Sequence, residues 1–228
     1  MKLRELLELL KDNLAETSDL VSGPSDRYWT DATLVNYLRT AEREFCDLSR
    51  SLIDDTTPEV TRITMKDAVD NYPLHKSIIA VTEVFLPTKG KLDAKSREFV
   101  RDVDNAKAHR PLWYNADTFA RKLYVAGVPT AVNTYAGQKL ELRVARFPLC
   151  ALTLNQPDKE PEIHEQYHEI LIEYAMYRAL RKHDSEAENL SKANDHLQLF
   201  QQTALRVRSL LKEQGATSAA PERRWGFP

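Results

Sequence analysis

One five-residue motif in this chain has the form of a catalytic zinc site. Residues 164–168 read His-Glu-Gln-Tyr-His, which matches the pattern H-E-x-x-H. In that pattern two histidines one helical turn apart bind zinc, and the glutamate acts as a general base on metal-bound water. A zinc metallopeptidase acting through His164, Glu165 and His168 is therefore the first function to weigh against the rest of the sequence.

The surroundings of this motif argue against zinc. The motif begins three residues after Pro161, which we take as the first residue of a helix, and the positive end of a helix dipole disfavours a dication. A catalytic site also needs a third protein ligand. Glu186 and Glu188 lie roughly 30 Å away on a continuous helix, and Glu213 is the only acidic residue beside His168 if the next helix returns antiparallel. We therefore expect no metal and interpret both histidines as polar residues at a helix end.

The rest of the sequence offers no other catalytic machinery. The chain lacks G-x-S-x-G, C-x-x-C and a glycine-rich phosphate loop, and it has only six glycines. Its two cysteines, Cys46 and Cys150, are flanked by apolar residues, as expected of buried thiols in a reducing compartment. We predict that the protein is not an enzyme and that it uses no cofactor.

Charge and hydropathy exclude two further classes. With 32 Lys and Arg against 34 Asp and Glu, the formal net charge is -2, so the chain has no overall attraction for nucleic acid. No stretch approaches the roughly 20 apolar residues that span a bilayer. The N-terminal segment alternates leucines with charges, unlike a signal peptide. The sequence predicts a soluble protein, cytoplasmic in the cell that produces it, with no membrane partner.

Two amphipathic helices are predicted before residue 55. The first begins at the N-terminus and carries leucines along one face. Thr30 is a suitable N-cap for the second helix, with Asp31 in its positive first turn. The core-facing residues of the second helix alternate between spacings of three and four, namely Leu34, Leu38, Ala41, Phe45, Leu48 and Leu52. Turn formers near Asp54 should end this helix.

A second helical pair is predicted from about residue 162 to 214. Its first helix begins at Pro161, and Ser185 with Glu188 forms an S-x-x-E capping box that opens the second. Because so few residues separate the two helices, they should pack antiparallel as a hairpin. The side chains predicted to form the framework of this hairpin are Tyr167, Tyr174, Leu197, Phe200 and Val207.

Between the two helical pairs the hydrophobic pattern is that of strands. The segments VTRITM, SIIAVTEVFL and KLELRVARF alternate or run apolar and are rich in β-branched residues. In the third segment Leu140, Leu142 and Val144 should face the core, and Arg146 should mostly face water. The apolar signal of residues 91–126 is too sparse to assign.

Together these elements predict a mainly α fold with a β-rich insertion. We expect an antiparallel bundle of about four long helices and a small antiparallel β region in the middle of the chain. The predicted boundaries are 1–55 for the N-terminal helices, 56–158 for the β-rich insertion, 159–214 for the C-terminal hairpin and 215–228 for an extended tail.

Three segments resemble, in order, motifs of the tailed-phage head-to-tail adaptor family. RYWTDATLVNYLRTAEREF is similar to the family's W-[ST]-D-x-x-L-x-x-Y-L-N-x-A opening helix, and Trp113 followed by AGVPTAV is similar to its W…G-x-P segment. The run PEIHEQYHEILIEYAMYRALRKHDSEAENLSKANDHLQLFQQ resembles its P-E-I-P-x-x-Y-H opening, a helix, a short polar turn and a second long helix. His164 stands where the family has its second proline. The resemblance covers most of the chain.

This resemblance implies a structural virion protein. Members of the family are similar in forming a dodecameric ring between portal and tail, with a helical bundle and a β insertion. The resemblance implies that this chain extends the DNA channel, helps retain packaged DNA and docks the tail. Its partners would be its own copies, the portal protein, a tail or nozzle protein and DNA passing through the lumen without sequence-specific binding. Its place would be the virion neck, and the host cytoplasm during assembly. A non-viral helical scaffold module is the alternative reading of the same helices.

The C-terminal residues 215–228 lack periodicity but have a distinctive composition. Arg223 and Arg224 precede Trp225 and Phe227, a combination that suits docking by aromatic insertion with charges at the rim. We predict that this tail docks on the portal or on a neighbouring subunit. A frayed terminus is the alternative.

Overall fold

Helices and strands are segregated into two units of the chain. The computed structural model describes residues 1–17, 29–66, 69–98, 113–126, 135–183 and 187–218. One unit, the helical unit, comprises residues 1–51 and 150–228, and the other, the β unit, comprises residues 52–149.

The helical unit contains four of the five helices in the described residues. In chain order the helices are α1 (Leu3–Thr17), α2 (Asp31–Ser49), α3 (Pro58–Thr61), α4 (Ile170–His183) and α5 (Ala187–Ser218), and only α3 lies in the β unit. α2 packs against each of the other three, and α4 packs against both α1 and α5. α5 extends through Ser218, past the boundary at 214 that we predicted for the hairpin.

The start of α2 is confirmed, and its end comes earlier than predicted. The hydroxyl of Thr30 accepts the backbone N–H of Thr33 at 3.2 Å, as an N-cap should. Arg50 adopts a left-handed φ of 54° and donates its N–H to the carbonyl of Cys46, which closes the helix before the turn formers near Asp54 are reached.

The described part of the β unit contains nine short strands in two sheets. In chain order they are β1 (Ile53–Asp54), β2 (Arg62–Thr64), β3 (Asn71–Pro73), β4 (Ile78–Leu86), β5 (Gly90–Lys91), β6 (Asp93–Ala94), β7 (Trp113–Asp117), β8 (Lys122–Ala126) and β9 (Lys139–Arg146). β9 is the centre of the first sheet, because it pairs antiparallel with β1, β2 and β4, and β4 in turn pairs with β5. The second sheet has the order β3-β8-β7-β6, in which only β6 and β7 are parallel.

The core of the β unit draws side chains from both sheets. Leu140, Leu142 and Val144 face inward from β9, as predicted, and they pack with Val84 of β4 and Leu123 of β8. Alternation along β9 therefore follows the pleat, with apolar side chains buried at every second position.

The predicted fold class is wrong. The described residues are 46% helical and 23% strand, with five helices and two multi-stranded sheets, rather than four long helices with a small β region. The second sheet was missed because β7 and β8 lie in the unassigned segment 91–126, and each of them is only five residues long, too short to show a clear alternation. Two of the expected long helices are also short, since α1 has 15 residues and α4 has 14.

Candidate functional site

An aromatic cluster joins the two helices of the C-terminal hairpin to α2. The rings of Tyr174 in α4 and Phe200 in α5 lie 5.0 Å apart between centroids, and Phe200 lies 6.0 Å from Phe45 in α2. Tyr167, in a single 3-10 turn that precedes α4, reaches the same Phe45 at 5.5 Å. Each such pair contributes about 0.5–1.5 kcal/mol beyond the area it buries. The cluster therefore fixes the hairpin against α2.

The five framework residues predicted from the sequence occupy one region of the helical unit. Phe200 and Val207 are buried and Leu197 is half-buried along one face of α5, with Ala193 and Ala204 completing the stripe. The stripe alternates between spacings of three and four, so a single face of α5 packs against its neighbours.

A polar contact also links the two hairpin helices. His196 of α5 lies 2.6 Å from a carboxylate oxygen of Glu173 in α4. Burial, and then the negative charge of Glu44, raise the pKa of Tyr174 beside this contact. Because Glu173 and Tyr174 contact His196 and Phe200, and only residues 184–186 separate the helices in sequence, the pair is antiparallel.

The H-E-x-x-H motif does not present a pair of free imidazoles. His164 caps the 3-10 turn, since its Nδ1 accepts the N–H of Gln166 at 3.3 Å. His168 is 1% exposed, and its Nε2 donates to the carbonyl oxygen of Ile163 at 2.9 Å. Its Nδ1 lies 2.9 Å from the α-amino group of Met1. Both ring nitrogens of His168 are occupied, and the residue is an internal structural element rather than an exposed helix end.

The predicted helix start at Pro161 is wrong, because α4 begins only after the 3-10 turn. In an α-helix the carbonyl of Ile163 would accept the N–H of Tyr167. Here that carbonyl accepts the imidazole of His168, and Tyr167 donates to the carbonyl of His164 at 2.9 Å. The side chain of His168 thus donates to the carbonyl that the backbone of an α-helix would use at this point.

The same segment holds the beginning of α1. The N–H groups of Leu3 and Arg4 donate to the carbonyls of Lys159 and Pro157 at 2.8 and 3.0 Å. The first N–H groups of a helix have no partner within the helix, so these carbonyls satisfy them. Asp158 adds an ion pair to Arg4 at 3.1 Å. The chain from 157 to 168 therefore anchors α1 to the hairpin.

A buried carboxylate completes this anchor. Glu42 of α2 is 1% exposed, and its Oε1 accepts the N–H of Glu162 at 2.6 Å. Glu162 in turn accepts the N–H of Cys150 at 2.7 Å. Hydrogen bonds from backbone N–H groups to a carboxylate are about twice as strong as neutral ones, so Glu42 holds an irregular segment that has few ladder bonds of its own.

Two residues of this anchor, Glu42 and Glu162, were not predicted from the sequence. Of the two, only Glu42 lies in a sequence pattern that indicates its burial. Val35, Glu42 and Ser49 are spaced by seven, and all three are buried beside the apolar stripe of α2. A row at heptad spacing that contains valine and serine indicates a second buried line on the helix, so the glutamate within it calls for an internal partner. Glu162 carries no comparable signal, since its partners lie 120 and 12 residues away.

The β unit holds a separate buried ion pair. Nε of Arg146 lies 2.6 Å from Oδ2 of Asp54, and both side chains are nearly inaccessible. We predicted that Arg146 would mostly face water, and this is wrong, because Asp54 offers it a buried partner. Burial by itself raises the pKa of Asp54, but hydrogen bonds from Thr57, Arg146 and Thr56 outweigh it and hold that pKa well below its usual value.

Some predicted features lie outside the described residues. These are the tail residues Arg223, Arg224, Trp225 and Phe227, together with Ser185 of the capping box. Within the described part of the chain, no three His, Cys, Asp or Glu side chains are grouped so that they could hold a metal ion. None of the helices described is long and apolar enough to span a bilayer.

Comparison with known proteins adds what the geometry cannot. A search of curated proteins gave no match. One protein-family model, described as SU10 adaptor protein, matches residues 1–224. That range contains the whole β unit and the helical unit except its last four residues, and it includes the aromatic cluster and the anchored 157–168 segment. The chain therefore belongs to the SU10 adaptor protein family, a family of phage head-to-tail adaptors.

Proposed function

We propose that this chain forms a dodecameric ring between the portal and the tail of a tailed phage. In that ring it would extend the DNA channel, help retain the packaged genome and dock the tail. The observation that carries the proposal is the family match across residues 1–224. Membership of this family makes the chain a structural adaptor and implies oligomerisation, contacts with portal and tail proteins, and a place in the virion neck.

The length and packing of α5 support its role as the main structural helix of each subunit. Its 32 residues span about 48 Å at 1.5 Å per residue. The aromatic cluster and the buried stripe hold one face of α5 inside its own subunit. Four leucines on its other faces remain 40–49% exposed, namely Leu190, Leu199, Leu205 and Leu210. A long helix with one packed face and apolar residues elsewhere suits contacts between subunits.

The charge of the chain supports a passive channel. A formal net charge of -2 gives no strong attraction for phosphate, and affinity for DNA rises with the number of phosphates that a protein neutralises. A channel lining without a large excess of basic residues would let DNA slide through. We propose that the DNA contact has no sequence specificity and that assembly takes place in the host cytoplasm.

The C-terminal tail is the second part of the proposal. Trp225 and Phe227 follow Arg223 and Arg224 in the sequence, and aromatic residues and arginine are enriched at protein interfaces. We propose that they dock in a groove of the portal or of a neighbouring subunit. A chain truncated after residue 215 should then lose portal binding, as measured by co-sedimentation with portal rings.

A matched pair of variants sharpens this test. Trp225→Ala with Phe227→Ala should weaken co-sedimentation more than Arg223→Ala with Arg224→Ala, because buried aromatic anchors contribute more than charges at the rim. Unchanged co-sedimentation of the truncated chain, with normal circular dichroism, would mean that the tail is a frayed terminus.

A further inference from the structure

Two acidic side chains on the outer face of α1 have no partner among the described residues of the subunit. Glu8 and Asp12 are exposed and one helical turn apart. Across the described ranges, neither has a hydrogen bond or an ion pair with any cation. Two carboxylates at this spacing form a small patch of negative charge, which we call the acidic pair.

The basic side chains at the start of the same helix do not neutralise the acidic pair. Arg4 and Lys2 are turned toward Asp158, at 3.1 and 3.5 Å. Lys11 is held by Asp31 of α2 at 2.7 Å. Every Lys and Arg at the start of α1 through residue 12 is thus committed to a carboxylate elsewhere in the helical unit, which leaves the charge of the acidic pair uncompensated.

The C-terminal half of α5 carries the complementary arrangement. Arg208 and Lys212 are one helical turn apart, and neither has a partner among the residues described. Leu205 lies on the same flank of the helix, and 49% of its surface is exposed. We call Arg208 and Lys212 the basic pair. Its charges and spacing mirror those of the acidic pair, with an apolar side chain beside them.

The two pairs belong to the same chain but do not meet within it. We propose that the basic pair of α5 docks against the acidic pair of α1 in the next copy of this chain, with Leu205 covered at the contact. A contact between two different surfaces is heterologous, and it forms a ring when its repeated rotation closes around an axis. This inference rests on the ring proposed above and names the surfaces that form it. Charges at such a contact fix its register and speed association.

Charge reversal tests the proposal. One variant carries Glu8→Lys and Asp12→Lys, and the other carries Arg208→Glu and Lys212→Glu. Each places like charges face to face, so we expect each alone to form at least about tenfold fewer rings on portal, counted by electron microscopy. A variant with Asp55→Lys and Glu59→Lys is the control, because these acids are also exposed and four residues apart but lie in the β unit. It should form rings like the wild type.

One further variant and one mixture decide whether the pairs contact each other. A chain with all four reversals restores opposite charges at every contact, so its rings should return. An equal mixture of the two reversed variants should also form rings, in which the variants alternate, because an even number of subunits allows such a ring to close. Circular dichroism of each variant should match the wild type, since all four side chains lie outside the core.

The outcomes separate this inference from the proposed function. If the wild type forms rings and the reversed variants form them equally well, the contact is wrong and the function stands. If each variant fails but neither the fourfold reversal nor the mixture recovers rings, the two pairs do not face each other and the contact is again wrong. If the wild type forms no rings on portal, the proposed function fails and the contact fails with it.

Discussion

The helical unit and the β unit bury polar side chains in different ways. In the helical unit the buried carboxylate of Glu42 and the buried imidazole of His168 bind backbone groups of the irregular segment that precedes α4. In the β unit the buried groups Asp54 and Arg146 bind each other. Among the described residues no buried side-chain nitrogen or oxygen lacks a partner. Buried polar groups thus hold an irregular segment in the helical unit, and in the β unit they join the ends of two strands.

The two units also differ in the apolar surface that they leave exposed. The helical unit exposes four leucines along the single helix α5, whereas the exposed large apolar residues described in the β unit, Phe85, Phe119 and Leu149, lie far apart in the sequence. Rows of half-exposed leucines on one long helix suit repeated contact with identical copies. In the proposed ring, the helical unit would therefore supply the contacts between copies. Each prediction below disturbs one unit, and the other unit serves as its reference.

The largest expected effect is the loss of the aromatic cluster in the helical unit. Phe200→Ala removes a ring that contacts Phe45 and Tyr174 and leaves a cavity, at a cost of about 3–5 kcal/mol. Hydrogen exchange should show faster opening of α4 and α5, with strands β4 and β9 protected as before. The control is Gln202→Ala on the exposed side of the same helix, which should change the free energy of unfolding by less than about 0.5 kcal/mol.

The ion pair is the corresponding weak point of the β unit. Asp54→Ala leaves the Arg146 guanidinium buried without its carboxylate, which should cost about 3 kcal/mol. Exchange should accelerate in β1 and β9, and α5 should keep its protection. Asp55→Ala, one residue further on and exposed, is the control. Equal stability of the two variants would mean that the ion pair contributes nothing to this unit.

The lowered pKa of Asp54 predicts that the stability of the fold decreases in acid. The pKa of Asp54 is held well below its usual value in the folded chain, so the carboxylate stabilises the fold fully above about pH 4 and loses that contribution as pH falls further. Asp54→Asn has no carboxylate to protonate. Its urea midpoint should therefore fall less steeply between pH 4 and 2 than that of the wild type. Parallel curves for both proteins would contradict this origin of the acid response.

A smaller effect is expected at the anchor of α1. His168→Ala removes the donor to Ile163 and the contact with the α-amino group of Met1, which should cost about 1–3 kcal/mol. Exchange at the N-terminus of α1 should accelerate more than exchange in α5. His164→Ala, at the exposed cap of the 3-10 turn, should cost less. Should the two variants lose equal stability, burial of His168 would not be the cause.

Local features of the helices could be predicted from the sequence. The N-cap of α2 and the buried stripes of α2 and α5 depend on side chains within a few turns of one another, so spacing alone reveals them. The framework residues Tyr174, Phe200 and Val207 came from the same periodicity. The family resemblance, drawn from motifs in order along the chain, is confirmed by the match across residues 1–224.

The predictions that failed mostly concern residues whose partners lie far away in the sequence. The predicted helix start at Pro161 was wrong because the segment before α4 is organised by contacts of His168. Its side chain donates to the carbonyl of Ile163 and contacts the α-amino group of Met1, which is 167 residues away in the sequence. Arg146 shares the strand parity of Leu142 and Val144, so alternation placed it inward, but its charge led us to the opposite expectation. Its partner lies 92 residues earlier. The sheet containing β7 and β8 was missed because short strands bury too few side chains to show a period.

The measurement that tests the central claim most directly is electron microscopy of this chain mixed with the portal protein of the same phage. We expect rings with twelvefold symmetry beneath the portal, in which α5 is resolved as the long helix of each subunit. A chain that is folded by circular dichroism but leaves the portal bare at saturating concentration would contradict the proposed function.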